Sequence, residues 1–309
     1  MSDKHIRHYE KCFSNLNRSG NRAKWPERTL HKAPQKPILL LSVLDLIELN
    51  QIGTNFIEAT DELIEFYERY WERSIPFTKP STLAMPFVRL KSEGFWHLSL
   101  VSGRERESDH AENSVSRLRA CVRGAVLDED LYDLVQDSAS REYLRSTLIE
   151  TCFTPSARQD ICQQSLINRK AFLYGEELLR HPQDPEARES IAVEEEYLPA
   201  VRDQGFRRAV IMAYANRCTL CGIRVRTPEG HTLAEAAHIK AWSLSGDDRP
   251  VNGLALCRTC HWTFDSGMMS VSERYEVITS GKLQIHDNMP GYLTTLEGRV
   301  PRRAQRAWP

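Results

Sequence analysis

Two Cys-X-X-Cys pairs constrain the fold of this 309-residue chain more than any other feature of its sequence. The first pair is Cys218 and Cys221, and the second, separated from it by 35 residues, is Cys257 and Cys260. Each pair places two thiolates on one tight turn, and two such turns surround a tetrahedral zinc ion with four ligands. Four protein ligands leave no open coordination position, so the pattern predicts a structural Zn²⁺ site. The alternative is four buried thiols without a metal, which leaves two well-spaced pairs to coincidence.

The composition is that of a globular protein with two domains of ordinary size. Hydrophobic residues make up 41% and charged residues 27%, which is typical of a chain that buries a core. The other four cysteines lack metal-ligand spacing and predict reduced thiols instead of a disulfide framework. No apolar run is long enough to cross a bilayer and no leader opens the chain, so we expect a cytoplasmic protein without membrane contact.

Charge is unevenly distributed along the chain, although the net charge is only −1. Residues 1–37 contain nine Lys/Arg against three Asp/Glu, and residues 128–150 contain seven acids against two arginines. The stretch 299–306 is purely basic. Local positive patches on a neutral chain favour a protein that contacts phosphate with selected surfaces. The alternative is a set of solvated faces.

Periodicity and turn residues predict an α+β protein with a mostly helical N-terminal half that contains a small sheet. Residues 85–101 are predicted as strand and turn, and the C-terminal half as a β-hairpin followed by a helix. The predicted helices are 38–49, one beginning after Thr60, 127–136, 139–151 and 202–214, and the predicted strands are 232–239 and 254–256, followed by a helix from Arg258.

Two prolines and an acidic run separate the halves. His181-Pro-Gln-Asp-Pro185 cannot continue a helix, and Glu194-Glu-Glu196 follows it. We therefore predict a recognition domain at 1–165, a connector at 166–198 and a second domain at 199–309.

Three polar residues around the cysteine pairs need a separate explanation. His238 lies on the first predicted strand, Asn252 in the turn and His261 on the final helix. Hydrolysis of a phosphodiester requires a base that activates water and a cation that stabilises negative charge. One imidazole can be that base, the other can bind the cation, and the amide can orient the base. Taken singly, His238 is more often a core histidine and Asn252-Gly253 an ordinary turn.

Residues 202–275 resemble the HNH endonuclease family. The resemblance is carried by Glu235-Ala-Ala-His238-Ile, Asn252-Gly-Leu-Ala-Leu-Cys257 and His261-Trp-Thr-Phe-Asp265, together with the entering helix from Arg202. It implies a ββα-metal domain with His238 as general base, Asn252 orienting it, and His261 as ligand of Mg²⁺ or Mn²⁺. Many HNH nucleases have a further metal ligand just before the first histidine, where this chain has Ala237. Glu235 and Asp265 are the candidates to replace it.

The N-terminal half contains basic residues next to aromatic and apolar ones, which suits phosphate contacts around a small hydrophobic pocket. The segments 32–41 and 85–96 resemble the sulfur-binding domain of phosphorothioate-dependent restriction enzymes, which commonly precedes an HNH domain. In that family a Tyr-Pro pair lines the cavity for the sulfur; Pro86 matches the proline, and Met85 stands where an aromatic is usual. The alternative is that the aromatic residues only fill the core. The candidate DNA contacts are Arg28, His31, Lys32, Lys36, Met85, Pro86, Phe87 and Arg89.

The two resemblances imply a type IV restriction-like endonuclease that cuts double-stranded DNA, with phosphorothioate-bearing foreign DNA as the leading substrate and defence as the role. Two alternatives remain open at this stage. One is an HNH effector gated by another modification, a ligand or a partner, and the other is a non-catalytic zinc module that binds DNA. A homodimer is attractive because one such domain cuts one strand, although no residue requires it.

Overall fold

A computed structural model describes residues 3–76, 78–104, 110–184, 193–281 and 296–304. The chain divides into two compact units, Met1–Arg169 with Pro228–Gly230, and Lys170–Thr227 with His231–Pro309. The described residues are mostly helical with small antiparallel sheets, which confirms the predicted α+β class. Across these ranges we find no helix with the length and apolar character needed to span a membrane.

The first unit is built around a helix that is buried on all sides. This helix, α2, contains the apolar run Ile38–Leu41, and every residue from Gln35 to Ile47 is buried. The prediction of a core helix is therefore confirmed. The following helix begins where the sequence predicts, because Thr60 Oγ1 accepts a hydrogen bond from Leu63 N at 3.2 Å. The helices of this unit are α1 Asp3–Ser14, α2 Gln35–Glu48, α3 Asp61–Ser74, α4 Ala84–Arg89, α5 Val115–Cys121, α6 Glu129–Gln136 and α7 Ser138–Cys152, and its strands are β1 Trp96–Leu100 and β2 Val122–Leu127.

The prediction of strand and turn over 85–101 is wrong in its first half. Residues 84–89 form the short helix α4, a 3₁₀ turn continues to Glu93, and the strand begins only at Trp96. Pro86 is compatible with α4 because it lies in the first turn, where backbone N–H groups have no intrahelical acceptor. Helix α1 was not predicted, since Tyr9 and Phe13 are its only large buried apolar side chains.

The second unit contains the predicted hairpin and helix. Strand β3 pairs antiparallel with β4, with Ala234 opposite Cys257 and His238 opposite Gly253. A buried cluster that includes Ala237, Leu254 and Leu256 packs below the hairpin. The division between the units falls within α8 Pro155–Arg180, and the other elements are α9 Leu198–Ala213, β3 Ala234–His238, α10 Trp242–Ser245, β4 Gly253–Cys257, α11 Arg258–Asp265, β5 Met269–Val271 and β6 Val277–Thr279.

Candidate metal centre and catalytic site

Four cysteine sulfurs converge beside the hairpin. Cys218 and Cys221 lie on a turn before β3, Cys257 ends β4, and Cys260 lies in the first turn of α11. Their Sγ atoms all lie within 4.8 Å of one another, and those of Cys221 and Cys257 are 3.7 Å apart. A tetrahedron with zinc–sulfur bonds of about 2.3 Å has edges of about 3.8 Å, so the four sulfurs fit a zinc ion. In the part of the chain that the structure describes, no other cluster of three or more potential ligands meets this geometry.

Arginine side chains surround the first cysteine turn. Arg217 Nη1 donates to Gly222 O at 2.9 Å, and Arg299 Nη1 donates to Cys221 O at 3.3 Å. The Arg302 guanidinium packs against Gly222, where an added Cβ would lie 3.0 Å from Nε. Four thiolates around one divalent ion carry a net charge of −2, which these guanidinium groups offset. The charge distribution therefore also fits a metal at this position.

The imidazole of His238, at the end of β3, contacts an aromatic ring with its face and a carboxylate with one nitrogen. Its ring stacks on Phe206 of α9 with centroids 3.9 Å apart and an interplanar angle of 4°. Its Nε2 lies 3.0 Å from Asp248 Oδ1, and the side chain is 24% exposed. The imidazole is thus fixed by contacts yet open to solvent, as a general base requires.

Asp248 lies at the centre of a buried polar network. It is 5% exposed, and its Oδ2 accepts hydrogen bonds from the Arg202 guanidinium and, at 3.4 Å, from the Tyr174 hydroxyl. Burial raises the pKa of Tyr174, which keeps its hydroxyl protonated as a donor to Asp248. Arg202 also stacks on the ring of Trp242 at 4.3 Å. Sequence analysis missed Asp248, and the residues around it show only an acidic pair in a loop.

Asn252 acts on the backbone that follows His238. Its Oδ1 accepts from Lys240 N at 2.8 Å, and its Nδ2 donates to Lys240 O at 3.1 Å and to Asp247 O at 2.9 Å. Its own carbonyl accepts from Ile239 N at 2.8 Å. The amide therefore joins the two ends of the loop between β3 and β4. The hydrogen-bond partner of the imidazole ring itself is the Asp248 carboxylate, not Asn252.

His261 on α11 has a carboxylate near each ring nitrogen. Nδ1 lies 2.9 Å from Glu235 Oε2, and Nε2 lies 3.4 Å from Asp265 Oδ2. The hydrogen bond with His261, which outweighs partial burial, lowers the pKa of Glu235. Ala237 lies on the same face of β3 as Glu235, and it is buried in the core. Ala237 has no ligand atom, whereas the longer side chain of Glu235 reaches His261.

The eight candidate DNA contacts of the first unit do not form one exposed surface. Lys32 is exposed and Met85 is half-buried, whereas Pro86 is buried and Phe87 is fully buried against Trp96, with ring centroids 5.1 Å apart. Their roles as DNA contacts stay predictions.

The remaining basic candidates already have protein partners. Lys36 is buried and forms an ion pair with Glu93, and Arg89 forms a bidentate pair with Glu112. Arg28 pairs with Asp160, and His31 Nδ1 lies 3.1 Å from the carbonyl oxygen of Trp25.

Two protein families match the chain, one in each half. Residues 17–167 match the family described as a ScoMcrA-like DNA sulfur-binding domain, and residues 218–272 match the family described as an HNH endonuclease. Both resemblances drawn from the sequence are confirmed, in the predicted order. No protein of curated function matches the chain.

Proposed function

We propose that this protein is a modification-dependent endonuclease that hydrolyses phosphodiester bonds in phosphorothioate-bearing DNA, as a type IV restriction enzyme does. The observation that carries the proposal is the union of a sulfur-binding domain with an HNH domain whose His238, Asn252 and His261 are all present. A non-catalytic zinc module would not require these three residues. The first domain selects the DNA and the second cuts it.

His238 is the general base in this proposal. Its imidazole takes a proton from water, the water oxygen bonds to phosphorus, and the bond from phosphorus to the leaving oxygen breaks. The leaving oxygen keeps the electron pair and is then protonated by solvent. Asn252 holds the backbone after His238 in place through its bonds to Lys240 and Asp247.

His261 and Asp265 would hold the divalent cation, Mg²⁺ or Mn²⁺. His261 Nδ1 is occupied by Glu235, which leaves Nε2 and the nearby Asp265 carboxylate to face a metal. The bound cation supplies Lewis-acid stabilisation of the charge that develops on the phosphate. The four cysteines hold a structural Zn²⁺ at a separate place in the same domain.

The half-buried side chain of Met85, next to the buried Pro86, is proposed to detect the modification. A sulfur atom is larger and less strongly hydrated than oxygen, so a hydrophobic contact discriminates between them. Lys32, which is exposed, is suited to contact the neighbouring phosphates.

The test of the nuclease assignment compares His238→Ala with His181→Ala. His181 is an exposed histidine in the same unit, so its replacement controls for loss of an imidazole. We expect His238→Ala to keep its zinc and its circular dichroism spectrum but to lose cleavage by about 10²–10⁴-fold. Cleavage by His238→Ala at the rate of His181→Ala would remove His238 from the mechanism.

The test of sulfur recognition uses the inactive His238→Ala protein as a binding reagent. Two duplexes of identical sequence, one with a single phosphorothioate linkage, are titrated at the same salt concentration. The proposal predicts tighter binding of the sulfur duplex and loss of the difference in a Met85→Ser background. Equal affinities would favour an effector gated by another signal.

A further inference from the structure

We propose that Asp248 is a positioning residue that fixes the tautomer of His238, so that Nδ1 is the nitrogen that accepts the proton from water. The inference rests on the proposed nuclease function and deepens it. It assigns a role to a residue that lies in a loop, ten positions after the histidine that it contacts.

The hydrogen-bonding capacities of the two groups decide the tautomer. An ionised carboxylate only accepts hydrogen bonds, and a neutral imidazole has one protonated and one bare nitrogen. Because Nε2 faces Asp248 Oδ1 at 3.0 Å, Nε2 must carry the proton. Nδ1 is then the bare nitrogen with its lone pair available. The same logic orients the histidine of a catalytic triad through a buried aspartate.

Asp248 is itself held by a donor that cannot reverse its role. The Arg202 guanidinium only donates, and it bonds Oδ2, the oxygen that does not face the histidine. The Tyr174 hydroxyl approaches the same Oδ2 at 3.4 Å. Arg202 and Asp248 are both buried, so their ion pair is protected from competing water. The carboxylate therefore has one free oxygen, which is directed at His238.

The stack on Phe206 fixes the plane of the imidazole. A parallel ring 3.9 Å away restricts tilting, while the hydrogen bond at Nε2 restricts rotation within the plane. Together the two contacts set both the direction and the protonation state of the base. Neither Asn252 nor His261 supplies a hydrogen bond to this ring among the described contacts.

The structure makes a specific prediction for Asp248→Asn. Arg202 can only donate and requires an acceptor at the Oδ2 position, so the new amide must place its oxygen there, where the Tyr174 hydroxyl can donate to it as well. Its NH₂ group then faces Nε2 of His238 and donates to it. The tautomer inverts, and Nδ1 carries the proton. The base is lost although the contacts persist.

The first test is nitrogen-15 NMR of the full-length protein labelled at histidine. The His238 signals are assigned by difference from His238→Ala. The proposal predicts a protonated Nε2 and a bare Nδ1 in the wild-type protein above the imidazole titration, and the reverse in Asp248→Asn. A wild-type spectrum with the proton on Nδ1, or with an equal mixture of tautomers, overturns the proposal, even if Asp248→Asn does not fold.

The second test is DNA cleavage by Asp248→Asn, with Asp203→Asn as the matched control. Asp203 is an exposed acid in the same unit. Asp248→Asn should lose about 10²–10⁴-fold in cleavage rate at unchanged DNA affinity, and Asp203→Asn should keep both rate and tautomer. Wild-type cleavage by Asp248→Asn overturns the positioning role. Full activity of His238→Ala would instead remove His238 from the mechanism, and no cleavage by the wild-type protein would refute the proposed function; in either case the tautomer spectrum would still report on Asp248.

Discussion

Gly253 packs so closely against α9 that one added methyl group is expected to disturb both folding and His238, the proposed base. A Cβ atom on Gly253 would lie 2.4 Å from Val210 Cγ2 and 3.1 Å from Phe206 Cζ. Carbon atoms in contact are normally about 3.5–4.0 Å apart, so the overlap with Val210 is roughly 1 Å. The backbone of Gly253 is ordinary extended strand, with φ −119°, so the effect is purely one of packing.

The overlap cannot be relieved by a small movement. Val210 is fully buried, and a β-branched side chain in a helix has one strongly preferred rotamer, so a change of rotamer is itself costly. Overpacking of this kind costs about 1–3 kcal/mol of unfolding free energy. Phe206 is pressed in the same direction, and it stacks on His238. Gly253→Ala should therefore lower cleavage as well as stability.

The assay is a double-mutant cycle between Gly253→Ala and Val210→Ala. Hydrogen exchange of peptides from β4 and α9 measures local stability, and DNA cleavage is measured in parallel. Gly281→Ala is the matched control, because a Cβ atom there would meet nothing within 4 Å. We expect the cost of Gly253→Ala to shrink in the Val210→Ala background. If Gly253→Ala exchanges and cleaves like Gly281→Ala, the packing argument is refuted.

Three further predictions concern the metal sites and the first unit. Cys260→Ser should lower the zinc content and the stability of the second unit, as a metal assay and hydrogen exchange would report; full zinc retention contradicts the four-cysteine site. Glu235→Gln weakens the hydrogen bond that orients His261, so the Mg²⁺ concentration needed for half-maximal cleavage should rise by about 10–100-fold. An unchanged Mg²⁺ requirement argues against an orienting role of Glu235. Lys36→Met removes the ion-pair partner of Glu93 and should lower the free energy of unfolding, measured with denaturant, by about 3–5 kcal/mol. The double variant Lys36→Met with Glu93→Leu should lose less, and equal losses in the two proteins contradict a buried pair.

The parts of the fold that could be predicted were the helices with a strong apolar pattern or a clear N-cap residue. The largely apolar stretch 38–49 predicted a core helix, and Thr60 followed by two acids marked the start of α3. The cysteine pairs indicated the four-sulfur cluster in advance, because ligand spacing is a local property of the chain. The catalytic roles of His238, Asn252 and His261 stay predictions.

The rest of the site depends on contacts that local sequence does not encode. Asp248 meets His238 only because the loop between β3 and β4 folds back, and Arg202 reaches it from a different helix. Lys36 looked like a phosphate contact by charge, yet tertiary packing buries it against Glu93. Gly253 looked like a turn residue, and its actual constraint is the side chain of Val210.

The most direct test of the central claim compares two plasmids of identical sequence, one of which carries phosphorothioate linkages. The purified full-length protein is incubated with each in Mg²⁺ or Mn²⁺, and nicked and linear products are followed over time, with His238→Ala as the inactive control. The account predicts that the wild-type protein cuts the sulfur-bearing plasmid and leaves the other intact. Equal cleavage of both plasmids would contradict it.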